Sequence, residues 1–515
     1  MKGKLAASLL SLLMLFNIAF GTSHADVIWM DGGLIGDPQI SGTNEYQELC
    51  FITGEPVLLK GSVKLPVVPT DKDTYSLKYT FELTNVAKGI TLERGVTFDV
   101  TKVTNANITQ TKYEKKLTKY TETITTTGGV YTLGKYTFSD SRLEDNTPAV
   151  DYFSGLNSTT TRTYYINGDY MTNEGYVTYN IDYDTIVGYK HLYGNNETVV
   201  VKQEIRNYKP NPSYDPKVYN SQEYNIWTGT VDIGMSSSEN VRFEYQYTDP
   251  QSISFRGSYF KVTSVSNVLT YKYSLPIVTS GVVDLKSTKR NTGEVNLSET
   301  YEPSTTTLVS PKIRDIGGHW AEDEIFLLTS MEVFDVEKEY FVPTATISRL
   351  DFGKAMVVAI NGVLPEPTTT EVIKRLRPGV DTLYLDIKPE DPDYHYIQFI
   401  KENDIMAGKN GYFKPAERLT RQEAITIMIK VLGLQYMAPA PPYKTGFVDD
   451  ASIGEWAKDS VYMANEIGLV TGTPEGNVLP NKLVSKAEAA TMFNSFINHL
   501  KDKITYDYRE KILNR

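Results

Sequence analysis

The chain has 515 residues, enough for more than one domain and ample core. Its net charge of −11, with no dense basic tract, excludes nucleic acid as a partner. The single cysteine, Cys50, excludes an intramolecular disulfide, a cysteine metal site and a redox pair; it reads as a small buried hydrophobe.

Residues 1–25 read as a secretory signal. Lys2 and Lys4 make a positive start, Leu5 to Phe20 is almost wholly apolar, and Ser23-His24-Ala25 puts small residues before Asp26. No Leu-x-x-Cys stands at the junction, which argues against a lipid anchor. No later apolar run approaches the roughly 18–20 residues of a membrane span. The mature chain is therefore expected to be exported, with no transmembrane segment.

Residues 26–297 alternate. Leu77, Tyr79, Phe81 and Leu83 recur at period two, as do Val241, Phe243, Tyr245 and Tyr247, and Val199 and Val201 belong to another β-branched run. Gly128-Gly129, Asn167-Gly168 and Gly194-Asn195 punctuate the runs. No long helical period appears, so the expected fold here is all-β, antiparallel and sandwich-like, with long hairpins.

The only histidine of this part, His191, lies beside a turn and reads as a surface or capping residue. No nucleophile elbow, zinc motif or P-loop is present, and no catalytic residue, cofactor or metal is indicated. These points lead to the expectation that the chain is not an enzyme. A glycosidase-like carboxylate pair stays open, because acids are plentiful and nothing singles out two. The aromatic-rich strands admit a sugar-binding platform, with Trp227 a candidate, but tyrosine also fills ordinary sheet faces. Residues 298–311, with Pro303-Ser304-Thr305-Thr306-Thr307, read as a linker.

Beyond the linker one pattern occurs three times: Ile347-Ser348-Arg349-Leu350-Asp351, Leu419-Thr420-Arg421-Gln422-Glu423 and Val484-Ser485-Lys486-Ala487-Glu488. Each precedes an apolar run at spacings of three and four, the mark of an amphipathic helix. Hydroxyl and carboxylate three apart make a capping box. The cation at N1 opposes the helix dipole by roughly 0.3–1 kcal/mol. Three in register suggest either an anion site at each helix start or indifferent solvated cations.

Ahead of each box stands another shared block: Asp315 with Gly318-His319-Trp320-Ala321, Asp386 with Asp393-Tyr394, and Asp449 with Gly454-Glu455-Trp456-Ala457. Short helices are expected at 325–333, 397–405 and 461–469, followed by Phe341-Val342-Pro343, Phe413-Lys414-Pro415 and Val478-Leu479-Pro480. Asp-to-cation spacings of 34, 35 and 37 residues (349−315, 421−386, 486−449) mark a repeat whose units must pack together to fold.

These residues resemble the S-layer homology domain family. The resemblance spans repeats at 312–364, 383–436 and 446–500, with connectors at 365–382 and 437–445 and a charged tail at 501–515. It implies an all-α, pseudo-threefold domain with grooves that bind secondary cell-wall polysaccharide, often pyruvylated. It implies Arg349, Arg421 and Lys486 as carboxylate-binding cations, Asp315, Asp386 and Asp449 as sugar-hydroxyl or structural partners, and Trp320 and Trp456 as groove walls. The tryptophans read equally well as core anchors. Pro392 falls where the second Trp would stand, and Lys486 replaces Arg, so unequal grooves are implied.

The sequence thus describes a secreted protein of the cell wall or cell surface, in which helical repeats hold a displayed β module. An S-layer or S-layer-associated role, with lateral self-association, is the expectation. An anchored glycan hydrolase or adhesin is the alternative.

Overall fold

The computed structural model describes residues 32–35, 42–69, 72–105, 109–218, 222–246, 257–279, 282–362, 364–365 and 383–504. The signal at 1–25, nearly all of the 365–382 connector and the end of the tail lie outside the described residues.

Alternation becomes one sheet. Its strands are β1 (Gly33–Ile35), β2 (Gly42–Cys50), β3 (Val57–Leu65), β4 (Thr74–Asn85), β5 (Ile90–Asn105), β6 (Gln110–Thr126), β7 (Gly129–Asn146) and β8 (Asp151–Ile166). They continue as β9 (Tyr176–His191), β10 (Gly194–Pro210), β11 (Tyr224–Gln246) and β12 (Ser258–Pro276). A small hairpin, β13 (Val278–Thr279) and β14 (Val282–Val283), precedes β15 (Arg290–Thr300) and β16 (Ser304–Thr307). From β1 to β12 each strand pairs antiparallel with the next; β15 and β16 both pair with β12.

So many twisted strands curl. Register shifts between β5 and β6, β7 and β8, and β9 and β10 add to the bend. The start of the sheet comes back against its end: Tyr301 donates its hydroxyl to Ile35 O at 2.5 Å, Gln47 Nε2 to Glu299 Oε1 at 2.9 Å, and Leu49 N to the Tyr271 hydroxyl at 3.3 Å. The sandwich-like layering therefore comes from one sheet rolled on itself. Leu77, Tyr79, Phe81, Val199, Val201 and Ile233 fill its interior, with Cys50 and Trp227. The sugar-platform role suggested for Trp227 is corrected by this burial. Part of the expected linker is also sheet: 298–300 finish β15, and 304–307 are β16.

One buried charge cluster in this core is fully paired. Arg94 holds Glu48 through Nη1 and Nη2 at 2.9 Å each, and Glu122 through Nε and Nη2 at 3.1 Å each. The Tyr120 hydroxyl donates to Glu122, and Arg162 lies over the Tyr120 ring. Burial alone would raise the Glu122 pKa, but Arg94 and Arg162 bring it below the usual carboxylate value.

Among the described residues the repeats form six α-helices: α1 (Glu322–Ser330), α2 (Arg349–Ala359), α3 (Tyr394–Glu402), α4 (Arg421–Val431), α5 (Glu455–Glu466) and α6 (Lys486–Asp502). The first helix of each repeat begins three to six residues before the expected position, because the turn ahead of it already supplies helical hydrogen bonds. Each box helix packs on the first helix of another repeat: α2 on α3, α4 on α5, α6 back on α1. Three main-chain bonds close the ring at its centre. Ile347 N donates to Val484 O at 2.9 Å, Val484 N to Leu419 O at 3.0 Å, and Leu419 N to Ile347 O at 3.4 Å.

The C-terminal ends of the three box helices face the sheet. Tyr193 donates its hydroxyl to Ala359 O at 2.7 Å, and Ala149 N donates to Val431 O at 3.1 Å, so the sheet caps orphan carbonyls of α2 and α4. Lys501 of α6 lies over Phe243, and Phe326 of α1 meets Tyr245 and Tyr259. Ala149, Val150, Tyr152, Tyr193 and Val241 join the same apolar core as the helices.

His191 is part of this seam, not a surface residue. Its ring stacks on Tyr189, its Nδ1 accepts from Tyr193 N, and His499 of α6 is close enough to repel a second positive charge. Burial first, and His499 second, push its pKa down to about 4. The folded state keeps it neutral while the unfolded chain takes up a proton below the ordinary value of 6.5. Stability is then full above pH 6.5 and falls by about 1.4 kcal/mol per unit as the pH drops towards 4. Melting temperatures taken between pH 7.5 and 4.5 are expected to show that slope, and His191→Phe to flatten it. An unchanged slope in the variant would assign the effect to other groups.

Candidate functional site

The shared box folds as its residues dictate. Ser348 and Ser485 accept from the N3 amides of Asp351 and Glu488 at 3.0 and 3.2 Å. Glu423 and Glu488 reach back to the N-cap amides of Thr420 and Ser485, completing the capping boxes of α4 and α6. The remaining amides of each helix start are also used. The N1 amides of Arg349, Arg421 and Lys486 donate to Glu417 O, Lys482 O and Ala345 O. The N2 amides of Leu350, Gln422 and Ala487 donate to Pro415 O, Pro480 O and Pro343 O. An anion held by main-chain amides at these termini therefore has no donors left, and the anion hypothesis contracts to side chains.

The three aspartates do one job each time. Asp315 accepts from Phe341 N and Val342 N, Asp386 from Phe413 N and Lys414 N, and Asp449 from Val478 N and Leu479 N, all at 2.7–2.8 Å. Val342, Lys414 and Leu479 have φ of 57°, 59° and 54°, a left-handed conformation that costs side-chain-bearing residues about 1–3 kcal/mol. The two-pronged carboxylate offsets that strain and fixes the turn against which the next helix starts. This is the structural side of the role left open for them. Asp386→Ala is expected to cost about 1.5–3 kcal/mol by leaving two amides without an acceptor. Urea denaturation checks it; a loss under about 0.5 kcal/mol would show that the turn holds itself.

The cations are not equivalent. Arg349 is mostly buried; its Nε donates to Phe413 O at 3.1 Å and its Nη2 to Ala407 O at 2.9 Å. Lys486 Nζ donates to Phe341 O at 3.2 Å. Among the described residues the Arg421 side chain makes no such bond; burial lowers its pKa, partly offset by Glu488. The tryptophans are not core anchors: Trp320 is 65% exposed and Trp456 60%.

Helix pairing decides which cation meets which ring. The α4–α5 pairing brings the starts of the two helices together: Gln422 Oε1, next to Arg421, accepts from Gly454 N at 2.9 Å, and a side chain at Gly454 would collide with the Trp456 ring nitrogen. In the third pairing α6, which starts at Lys486, packs on α1, which begins two residues after Trp320. In the α2–α3 groove no Trp is present; Lys354 instead bridges to Asp393 at 2.6 Å, over Tyr396. Two of the helix pairings thus combine a half-buried cation at one helix start with an exposed indole at the other, and the third carries an ion pair.

This is a three-repeat helical anchor joined to a β module. Residues 383–425 and 446–490 match the S-layer homology domain. The second and third repeats are thus S-layer homology sequence, which places the protein at the cell wall or cell surface. The chain is similar to a protein of Acetivibrio thermocellus named Exoglucanase XynX, at 26% identity over 204 residues, 38% of this chain and 17% of the relative. It is similar to an Amylopullulanase of Thermoanaerobacterium thermosulfurigenes, at 26% over 181 residues, 35% of this chain and 9% of the relative. A Cellulosome-anchoring protein of Acetivibrio thermocellus is 32% identical over 90 residues, 18% of this chain and 20% of the relative. The chain thus spans at most about a fifth of the length of these relatives. The expectation that the chain is not an enzyme is overturned by relatives that carry the names of enzymes.

Proposed function

We propose that the repeats hold the protein on the cell wall by binding an anionic secondary wall polysaccharide, pyruvylated or otherwise carboxylated. The α4–α5 groove takes the lead, with Arg421 gripping a carboxylate and Trp456 covering a sugar face. The α6–α1 groove, with Lys486 and Trp320, is the second site, and Arg349 serves the ring. The observation that carries this reading is the half-buried Arg421 side chain, which among the described residues makes no hydrogen bond, at the start of α4, the helix that packs on the one carrying the exposed Trp456. A partly desolvated guanidinium without a hydrogen-bonded partner can grip an incoming carboxylate.

The test is retention of the full chain on purified wall sacculi, with and without removal of the acidic polymer. Retention only on untreated sacculi supports the reading; equal retention on both overturns it.

For the β module, the enzyme names among the relatives favour a glycan-directed role, as a surface-displayed hydrolase or sugar-binding unit, over a purely lattice-forming one. Glycan turnover by the full chain, followed as released reducing ends, distinguishes hydrolysis from binding.

A further inference from the structure

Any pull between the anchor and the β module crosses the seam at two main-chain points on neighbouring strands. Ala149 N donates to Val431 O just before β8, and the Tyr193 hydroxyl donates to Ala359 O just after β9. Beside those points Asp151 of β8 and Lys190 of β9 stand directly opposite each other. Lys190 shares the parity of Ile186, a residue of the inner core, so the pair faces inward. Facing side chains in such a pair have Cβ atoms about 4.5–5.5 Å apart, within easy reach of a lysine arm.

The neighbours of the pair hold it in a half-buried setting. Asn146 Nδ2 donates to Asp151 Oδ1 at 2.8 Å, and Asn146 Oδ1 accepts from the Thr111 hydroxyl at 2.8 Å, which fixes one carboxyl oxygen. Two residues further in, Phe153 fills the space that a side chain at Gly188 would need. Arg142 lies over the Phe153 ring at 3.6 Å and pairs with Glu144 at 3.3 Å. Burial acts on both members. It raises the pKa of Asp151 and lowers that of Lys190, so each is driven towards its neutral form. Glu144, which feels the charge of both, is raised by burial as well. A plain ion pair needs two charges, and this setting disfavours each of them.

We infer that Lys190 and Asp151 join in an amide bond, a covalent tie between β8 and β9. A desolvated, neutral lysine amine is a nucleophile, and a protonated carboxyl can give up its hydroxyl as water. Lys190 Nζ attacks Asp151 Cγ; the N–C bond forms and the C–O bond to the acid hydroxyl breaks. One proton passes from Nζ to that oxygen by way of Glu144, which ends as it began, and water leaves. Nothing is oxidised or reduced, and no further reactant is consumed. A chain with a single cysteine has no internal disulfide to serve this purpose. The tie closes the β8–β9 pair at the end where pull from the anchor arrives. It depends on neither the wall-binding nor the glycan-directed reading.

The test is the intact mass of the denatured full chain, followed by tryptic mapping, with Lys190→Arg prepared alongside as the unlinked reference. The parent is expected to be lighter than its sequence by one water. Trypsin should leave peptides 143–162 and 163–202 joined through Asp151 and Lys190. Lys190→Arg and Asp151→Ala should show their full sequence mass, and Glu144→Gln should leave most molecules unlinked. A parent at full mass overturns the inference, whether or not any variant folds. So does a lost water with the two peptides separate, which marks a cyclised side chain elsewhere. Loss of ammonia in place of water would put the bond on Asn146 and overturn the assignment to Asp151.

Discussion

Arg94→Ala should destabilise the β module by about 3–5 kcal/mol, the largest single-residue loss expected in this chain. The reason is what it leaves behind. Glu48 and Glu122 sit inside the rolled sheet, and four of their hydrogen bonds come from one guanidinium. Without it two carboxylates face each other in a medium that cannot solvate them, and at least one must take up a proton or drag in water. Glu122 has a depressed pKa, so its contribution is present above the unfolded value of 4.5 and is lost as the pH falls through the folded one. The Arg94→Ala variant should therefore lose stability least at acid pH. Thermal unfolding at pH 7 and pH 4 checks both statements. A loss below about 1 kcal/mol at pH 7 would mean that water already reaches the cluster.

Arg421→Ala should weaken retention on wall sacculi by a factor of about 10 to 100, corresponding to about 1.5–3 kcal/mol for hydrogen bonds made by a charged group. Its melting temperature should change little, since the side chain makes no hydrogen bond among the described residues. Arg349→Ala should behave in the opposite way, because it loses two bonds that join the first repeat to the second. Arg421→Lys is expected to fall between parent and Ala, since an ammonium cannot grip a carboxylate with two parallel bonds. Equal binding losses for Arg349→Ala and Arg421→Ala would contradict the division of labour. Titration of sacculi with labelled protein, beside differential scanning calorimetry, gives both numbers.

Much of this architecture is legible in the chain because the signals are local. The capping boxes, the alternation at Leu77–Leu83 and the near-constant Asp-to-cation spacings all lie within a few tens of residues. Closure of the sheet is not legible, since Ile35 meets Tyr301 across the whole module and neither carries a mark of the other. The buried ion cluster does leave a trace: Arg94 shares the parity of Leu92 and Val96, so it is a charge at an inward position. The aspartate clamp left one too, as a recurring gap of 26–29 residues to the amide it holds. What no sequence pattern could show is that Arg349 and Lys486 are aimed at main-chain carbonyls, which look the same behind every residue. The exposure of Trp320 and Trp456 was equally hidden, because an indole beside a helix start serves core and surface alike.

The helical ring is closed by its last member, since α6 packs against α1 and the Val484 strand segment bonds to both other repeats. A chain still emerging from the ribosome therefore lacks the α6–α1 groove and the Val484 bonds that tie the first repeat to the second, even with α2–α3 and α4–α5 already paired. Clipping α6 would open the ring on both sides at once.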